Sequence, residues 1–419
     1  MKPQRVVITG LGALTPIGNN VKELWENLKK GKSGAAPITK FDASAFKTQF
    51  ACEVKEFYPE KYFDPKLLKR LDPYSQYALY TARQAGMDAQ LKLETGENTR
   101  KGVIWASTNG GISTFEQQLK AYHLENDPLA FNPFFISRTI PDSAAGLISI
   151  EFNFKGVNFC PVSACSSAST AIIEAFNHIR WGKADQIITG GSEATITPSK
   201  FAGLNAVKAL SQRNDSPKTA SRPFCTERDG FVLGEGAAAL VLESLEHAQK
   251  RGAQIYAEIV GTALTSDAYH MTATHPEGEG AFHGMAQALA EAEVSPEKID
   301  YINAHGTSTK LGDISEIKAI HRLFGDSPQF HISATKSMTG HLLGACGAVE
   351  AVISTLAIRE QSVPPTINTD NPISEIPKSF NFTLEKGLNR KIDYVMSNVF
   401  GFGGHNSSII FKRYKEDGE

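Results

Sequence analysis

The sequence predicts an α/β protein built from two related halves, and three observations carry that prediction. Short apolar, strand-like runs alternate with longer amphipathic or small-residue stretches of helical character. The segment Ile8-Thr9-Gly10-Leu11-Gly12-Ala13-Leu14-Thr15 is echoed, one residue shorter, by Ile259-Val260-Gly261-Thr262-Ala263-Leu264-Thr265. Each half also holds a strand that ends on a short polar turn before a helix of small residues (160–171 and 331–351). Later in each comes a strand followed by a glycine-rich turn (185–194 and 393–406). The halves are expected at 1–251 and 252–412 around one shared core, because no Pro/Ser linker divides them, with a charged, frayed tail at 413–419.

The strand runs, in order, are 5–9, 102–106, 158–163, 186–189, 239–243, 255–260, 301–304, 331–334 and 394–397. A chain of 419 residues suits two or three ordinary domains. Lys plus Arg (43) nearly balances Asp plus Glu (45), which leaves no basic excess to grip nucleic acid. The 41% hydrophobic and 21% charged fractions are those of a soluble globular protein. The longest apolar runs, 232–242 and 342–358, contain Glu235 and Glu350 and fall short of the ~18–20 clean residues of a membrane span. Residues 1–5 pass straight into a strand with no signal-peptide core, so a cytoplasmic protein without membrane insertion is expected. Cysteines 52, 160, 165, 225 and 346 form no CxxC pair, which argues against a disulfide framework or a zinc site; no metal is expected.

Gly10-Leu11-Gly12 follows a strand, but the third glycine and the acidic residue of a dinucleotide site are missing. A tight strand-to-helix turn is the better reading there. Cys165 sits in Pro161-Val162-Ser163-Ala164-Cys165-Ser166-Ser167-Ala168, where a strand run gives way to a helical run at 171–181. A thiol at a helix start is exposed to the free backbone N–H groups and the helix dipole, which would lower its pKa from ~8.5 towards ~7. Packing as a small apolar residue is the competing account of Cys165, and the preferred one for the other four cysteines. His305, in Asn303-Ala304-His305-Gly306-Thr307-Ser308-Thr309, and His341, in Lys336-Ser337-Met338-Thr339-Gly340-His341, both occupy strand-to-helix turns. Together with the thiol they make a nucleophile-and-imidazoles set. Lys336 could pair with Glu350 across the start of the following helix. Glycines around Phe402, in Phe400-Gly401-Phe402-Gly403-Gly404-His405-Asn406, would allow an amide N–H to face an oxyanion and an aromatic ring to cover a channel.

These motifs, with Ser221-Arg222-Pro223, Glu227-Arg228-Asp229-Gly230-Phe231, Ser266–Thr272 and Pro364-Pro365-Thr366, run in order through 5–412. The chain resembles the β-ketoacyl-acyl carrier protein synthases of the thiolase-like superfamily, above all the elongating type II enzymes of dissociated fatty-acid synthesis. The resemblance implies a five-layered αβαβα fold, a homodimer, and acyl carrier protein as a transient acidic partner. It also implies ping-pong chemistry on phosphopantetheine-linked acyl and malonyl groups with no bound cofactor. Cys165 would carry the acyl group and His305 and His341 would bind the enolate oxygen. Phe402 would gate the site, Lys336 and Glu350 would brace it, and Thr307, Thr309 and Phe231 would line the substrate path. Thiolases need a second cysteine where this chain has Phe402 and His405, and initiating synthases have Asn where it has His341. A silent chain-length or scaffold subunit remains the alternative of a different class.

Departures from the resemblance bear on the substrate. Asn109 stands where an aliphatic residue usually meets the acyl tail, Lys200 where glycine lines the pocket, and Leu204 where phenylalanine is common. Lys310 replaces a proline or small residue. Leu129-Ala130 replaces a basic pair, so carrier docking is expected to lean on Lys69, Arg70 and Lys208. Asn109 and Lys200 are expected to mark a chain-length or polarity limit. They leave a specialised polyketide or polyene-pigment pathway open beside fatty-acid elongation.

Overall fold

The computed structural model describes residues 3–416 apart from 93, 94, 128, 130 and 327. Ala130 of the docking comparison and the end of the charged tail, 417–419, therefore lie outside the described residues. The strands of the main sheet are β1 (Val6–Leu14), β2 (Lys101–Ala106), β3 (Asn158–Phe159), β4 (Gln186–Glu193), β5 (Gly236–Ser244), β6 (Ala257–Ser266), β7 (Tyr301–Asn303), β8 (His331–Ser333), β9 (Asn381–Phe382), β10 (Tyr394–Gly401) and β11 (His405–Lys412). The helices that matter here are α1 (Pro73–Asp88), α2 (Ser143–Phe152), α3 (Ser167–Arg180), α4 (Pro198–Ala206), α5 (Glu279–Ala292), α6 (Lys310–Phe324), α7 (Lys336–Thr339) and α8 (Cys346–Glu360).

Strand order shows the duplication directly. The first half runs β3-β2-β4-β5-β1, and the second runs β8-β7-β10-β11-β6 with β9 added outside β8. In each half the first three strands of that order are parallel and the last two pairings antiparallel. The halves meet where β1 pairs with β6 over only Val6–Ile8 and Ala257–Ile259. Helices α3 and α8, rich in alanine and β-branched residues, fill the space between the two half-sheets. Their buried faces join residues of both halves in one cluster that includes Ile172, Phe176, Val352 and Leu356. Outside, α1 and α2 cover the first half-sheet around Tyr74 and Trp105. Helix α5 and residues of α6 cover the second around Met285 and Ile320. Helix, sheet, helix, sheet, helix is the five-layer thiolase-like arrangement.

Several local expectations change. Gly10–Leu14 is not a turn but the continuation of β1, with a bulge between Ile8 and Gly10. The glycines are there for packing: a Cβ on Gly10 or Gly12 would lie 2.3 or 2.1 Å from the Ala85 or Thr81 carbonyl oxygen of α1. The glycines of 185–194 likewise sit inside β4, and the run at 158–163 forms a strand only over its first two residues. Strand β11 was hidden behind the glycine-rich turn at 402–404.

Candidate active site

Cys165, His305, His341 and Phe402 lie beyond strand ends of both halves and meet in one cavity of about 520 Å³. After β3 the chain turns through Ala164, whose φ of 50° is left-handed and strained for a residue with a Cβ. This presents Cys165 just before Ser166, the N-cap of α3. Ser166 Oγ donates to the Val399 and His405 carbonyls at 3.0 and 3.1 Å, tying the thiol turn to β10 and β11. Gly401 closes against it: a Cβ there would lie 3.0 Å from the Cys165 amide nitrogen. The Phe402 backbone N–H points to the Cys165 sulfur, while Phe402 as a residue is 39% exposed and lines the cavity.

His341 Nε2 lies 3.1 Å from Cys165 Sγ. Its ring stands edge-on to His305, with centroids 5.5 Å apart, and edge-on to Phe231 at 5.1 Å. Phe400 packs edge-on against His305 at 5.7 Å. Burial, joined by the Lys336 charge, holds both imidazoles well below the usual histidine range, so both are neutral near pH 7. The Nδ1 atoms of both rings are buried with no hydrogen-bond partner among the described residues. A buried N–H without an acceptor is costlier than a bare lone pair, so each ring's proton is assigned to Nε2. His341 then donates to the sulfur.

The loop carrying His305 is held by carboxylates that sequence reasoning missed. Glu316 of α6 accepts the His305 and Gly306 amides, both at 2.8 Å, and Asp313 accepts those of Ser308 at 3.1 Å and Phe224 at 2.7 Å. Burial raises Glu316 to about 8 and Asp313 to about 6, against the pull of those amides. Lys336 and Glu350 form a buried ion pair behind the histidines. Burial opposes the charge on Lys336, but Glu350 overcomes it and holds the ammonium above its ordinary range; burial lifts Glu350 to about 7.

One expectation is reversed. Burial pushes the Cys165 thiol up to about 11, against the Phe402 amide and the charges of Lys336 and Lys200. The helix start does not lower it, because the sulfur is desolvated beside an imidazole that carries no charge. Cys346 donates to the Cys165 carbonyl at 3.4 Å, so it packs directly behind the Cys165 turn.

Thr307 and Thr309, whose hydroxyls are 3.0 Å apart, line the cavity with Leu204, Phe231, Lys200 and Lys208. Asn109 stands directly behind: Lys200 Nζ donates to its Oδ1 at 2.9 Å. Lys310 shares the rim with Lys208. Lys69 and Arg70 are exposed but are not part of this lining; Arg70 lies over the Phe134 ring at 5.2 Å. Among the described residues, no cluster of His, Cys, Asp and Glu could hold a metal ion, and no helix is long and apolar enough to cross a membrane.

Sequence comparison agrees with this architecture. Residues 3–248 match the β-ketoacyl synthase N-terminal domain and 256–370 its C-terminal domain. The chain is 47% identical over 414 residues to a 3-oxoacyl-[acyl-carrier-protein] synthase 2 of Coxiella burnetii, covering 99% of each. Among solved structures it is similar to an ishigamide ketosynthase/chain length factor, with a TM-score of 0.92, 34% identity, and coverage of 99% of this chain and 100% of that one. It is also similar to a type II polyketide ketosynthase bound to a hexaketide and in complex with its acyl-carrier protein (TM-score 0.90, 33% identity, 99% and 100% covered). The chain belongs to the β-ketoacyl synthase family.

Proposed function

We propose that the protein is an elongating β-ketoacyl-acyl carrier protein synthase of fatty-acid biosynthesis, a condensing acyltransferase with Cys165 as its nucleophile. The observation that carries the assignment of residues is the 3.1 Å contact between Cys165 Sγ and His341, beside His305 and beneath the Phe402 amide.

In the transfer half, Cys165 attacks the acyl thioester on a carrier's phosphopantetheine arm. The His341 Nε2–H bonds the sulfur as it turns anionic, and the displaced proton ends on the departing pantetheine sulfur. The amides of Cys165 and Phe402 receive the negative oxygen of the tetrahedral intermediate. In the condensing half, malonyl thioester loses CO₂ and its enolate oxygen takes the Nε2–H bonds of His305 and His341. Neutral rings suit this task, because each keeps a proton to donate without giving it away. The enolate carbon attacks the acyl-Cys165 carbonyl and breaks its bond to sulfur, and the thiolate expelled takes up a proton from water, as its high pKa requires. Lys336 and Glu350 brace the histidines, and Thr307 and Thr309 contact the phosphopantetheine. No bound cofactor is needed, since CO₂ loss drives the step.

Acyl carrier protein is the partner, met at the rim by Lys208 and Lys310, with Lys69 and Arg70 further out. We further propose a cytoplasmic homodimer whose subunits divide at 1–251 and 252–412. Intact-mass measurement after incubation with acyl carrier protein tests the core of this reading: one acyl adduct on Cys165, absent from Cys165→Ala. An adduct that survives in Cys165→Ala overturns it.

A further inference from the structure

The wall of the cavity contains a chain of polar groups that the condensation itself does not use. Lys200, in the first turn of α4, donates from Nζ to Asn109 Oδ1 at 2.9 Å. Asn109 Nδ2 in turn faces Glu193 Oε2 at 3.4 Å and bonds the Thr108 hydroxyl. Glu193 is fully buried at the end of β4, and its other oxygen accepts the Thr108 amide and hydroxyl. An ammonium, an amide and a carboxylate therefore stand in series, ending on the cavity side at Lys200.

Three properties of this series define what it could bind. A lysine ammonium has three donors, and only one is occupied by Asn109. Lys200 lines the same cavity as Cys165, so it faces the space an acyl chain on that sulfur would enter. Burial raises the pKa of Glu193, reached through Asn109, against the pull of its Thr108 hydrogen bonds and the Lys200 charge; as a carboxylate it would repel an anion placed against Lys200. A saturated chain would strip water from the ammonium and return no hydrogen bond. A neutral oxygen would replace that water.

We infer that this cavity selects acyl groups bearing a hydroxyl or keto oxygen along the chain, with Lys200 as the donor and Asn109 and Glu193 as its positioning groups. The inference rests on the reading of the cavity as the acyl site. Carrier proteins loaded with octanoyl, 5-oxooctanoyl, 5-hydroxyoctanoyl and glutaryl groups test it, each condensed with malonyl carrier and each checked by mass for the Cys165 adduct. The wild type should favour the oxo and hydroxy chains over octanoyl by about tenfold or more in kcat/KM, as a charged donor left without its acceptor implies, and glutaryl should trail. Lys200→Met should erase that preference and raise octanoyl turnover, and Glu193→Gln should improve glutaryl. Equal use of octanoyl and its oxygenated analogues, a preference that survives Lys200→Met, or glutaryl as the best substrate would overturn the inference while leaving the synthase reading intact. Absence of any Cys165 adduct with all four carriers would overturn the synthase reading, and the inference with it.

Discussion

After β3 in the first half the chain turns through Ala164 and presents a thiol; after β8, the equivalent strand of the second half, it turns through Gly340 and presents an imidazole. After β2 come Thr108 and Asn109, and after the matching β7 comes His305. The halves also diverge between β4 and β5, where residues 194–235 carry Lys200, Leu204 and Phe231. The matching β10–β11 connection is the three-residue turn 402–404 with Phe402. The same topology thus gives two sets of strand ends at one cavity. In the proposed chemistry the first half holds the acyl group and its selectivity, and the second holds the groups that bind developing negative charge.

Such a division can be broken experimentally. Cys165→Ala should lower condensation by on the order of 10⁴-fold or more, yet malonyl carrier should still lose CO₂, because the second half is intact. Radiolabelled CO₂ release separates the two steps; loss of both together would mean that the halves do not divide the work. His305→Ala should reduce condensation by on the order of 10²–10³ while leaving Cys165 acylation in place, read by intact mass. His341→Ala should match that loss and also slow acylation, because its ring touches the sulfur. Equal acylation rates in the two variants would remove His341 from the transfer half.

Behind the histidines, Lys336→Met should destabilise the fold by about 3–5 kcal/mol in urea unfolding, since it strands Glu350 in the interior. Adding Glu350→Leu should recover much of that, and a stability unchanged by Lys336→Met would show that the pair is solvated. Smallest in scale is the pH response of the thiol. With Cys165 near 11 and reacting as its thiolate, iodoacetamide labelling at Cys165 should rise about tenfold per pH unit from 7 to 9. A plateau near pH 7 would restore the thiolate expected from the helix start.

Cys165, His305, His341 and Phe402 were legible because each lies in a short motif beside an apolar run, where local pattern marks a strand end. The Lys336–Glu350 pair was legible from its small, apolar surroundings. Glu193 and Glu316 were not: what matters about Glu193 is its contact with Thr108 and Asn109, some 85 residues away, and nothing local advertises it. Glycines misled the reading at Gly10 and Gly12 and inside β4, since close packing and tight turning call for the same residue. The thiol's pKa was misjudged for a related reason. A helix start can be seen in sequence, but the burial that outweighs it depends on strands hundreds of residues away.

The Cys165–His341 contact joins residues 176 apart, and the turn bearing the Phe402 amide follows later still. On a translating ribosome Cys165 therefore emerges about 237 residues before the turn that faces it, roughly 10–50 s at ordinary elongation rates. Throughout that interval the first half can build its own five strands, but it carries an ordinary cysteine. The imidazole and amide contacts of the thiol are therefore completed only after residue 402 has been added.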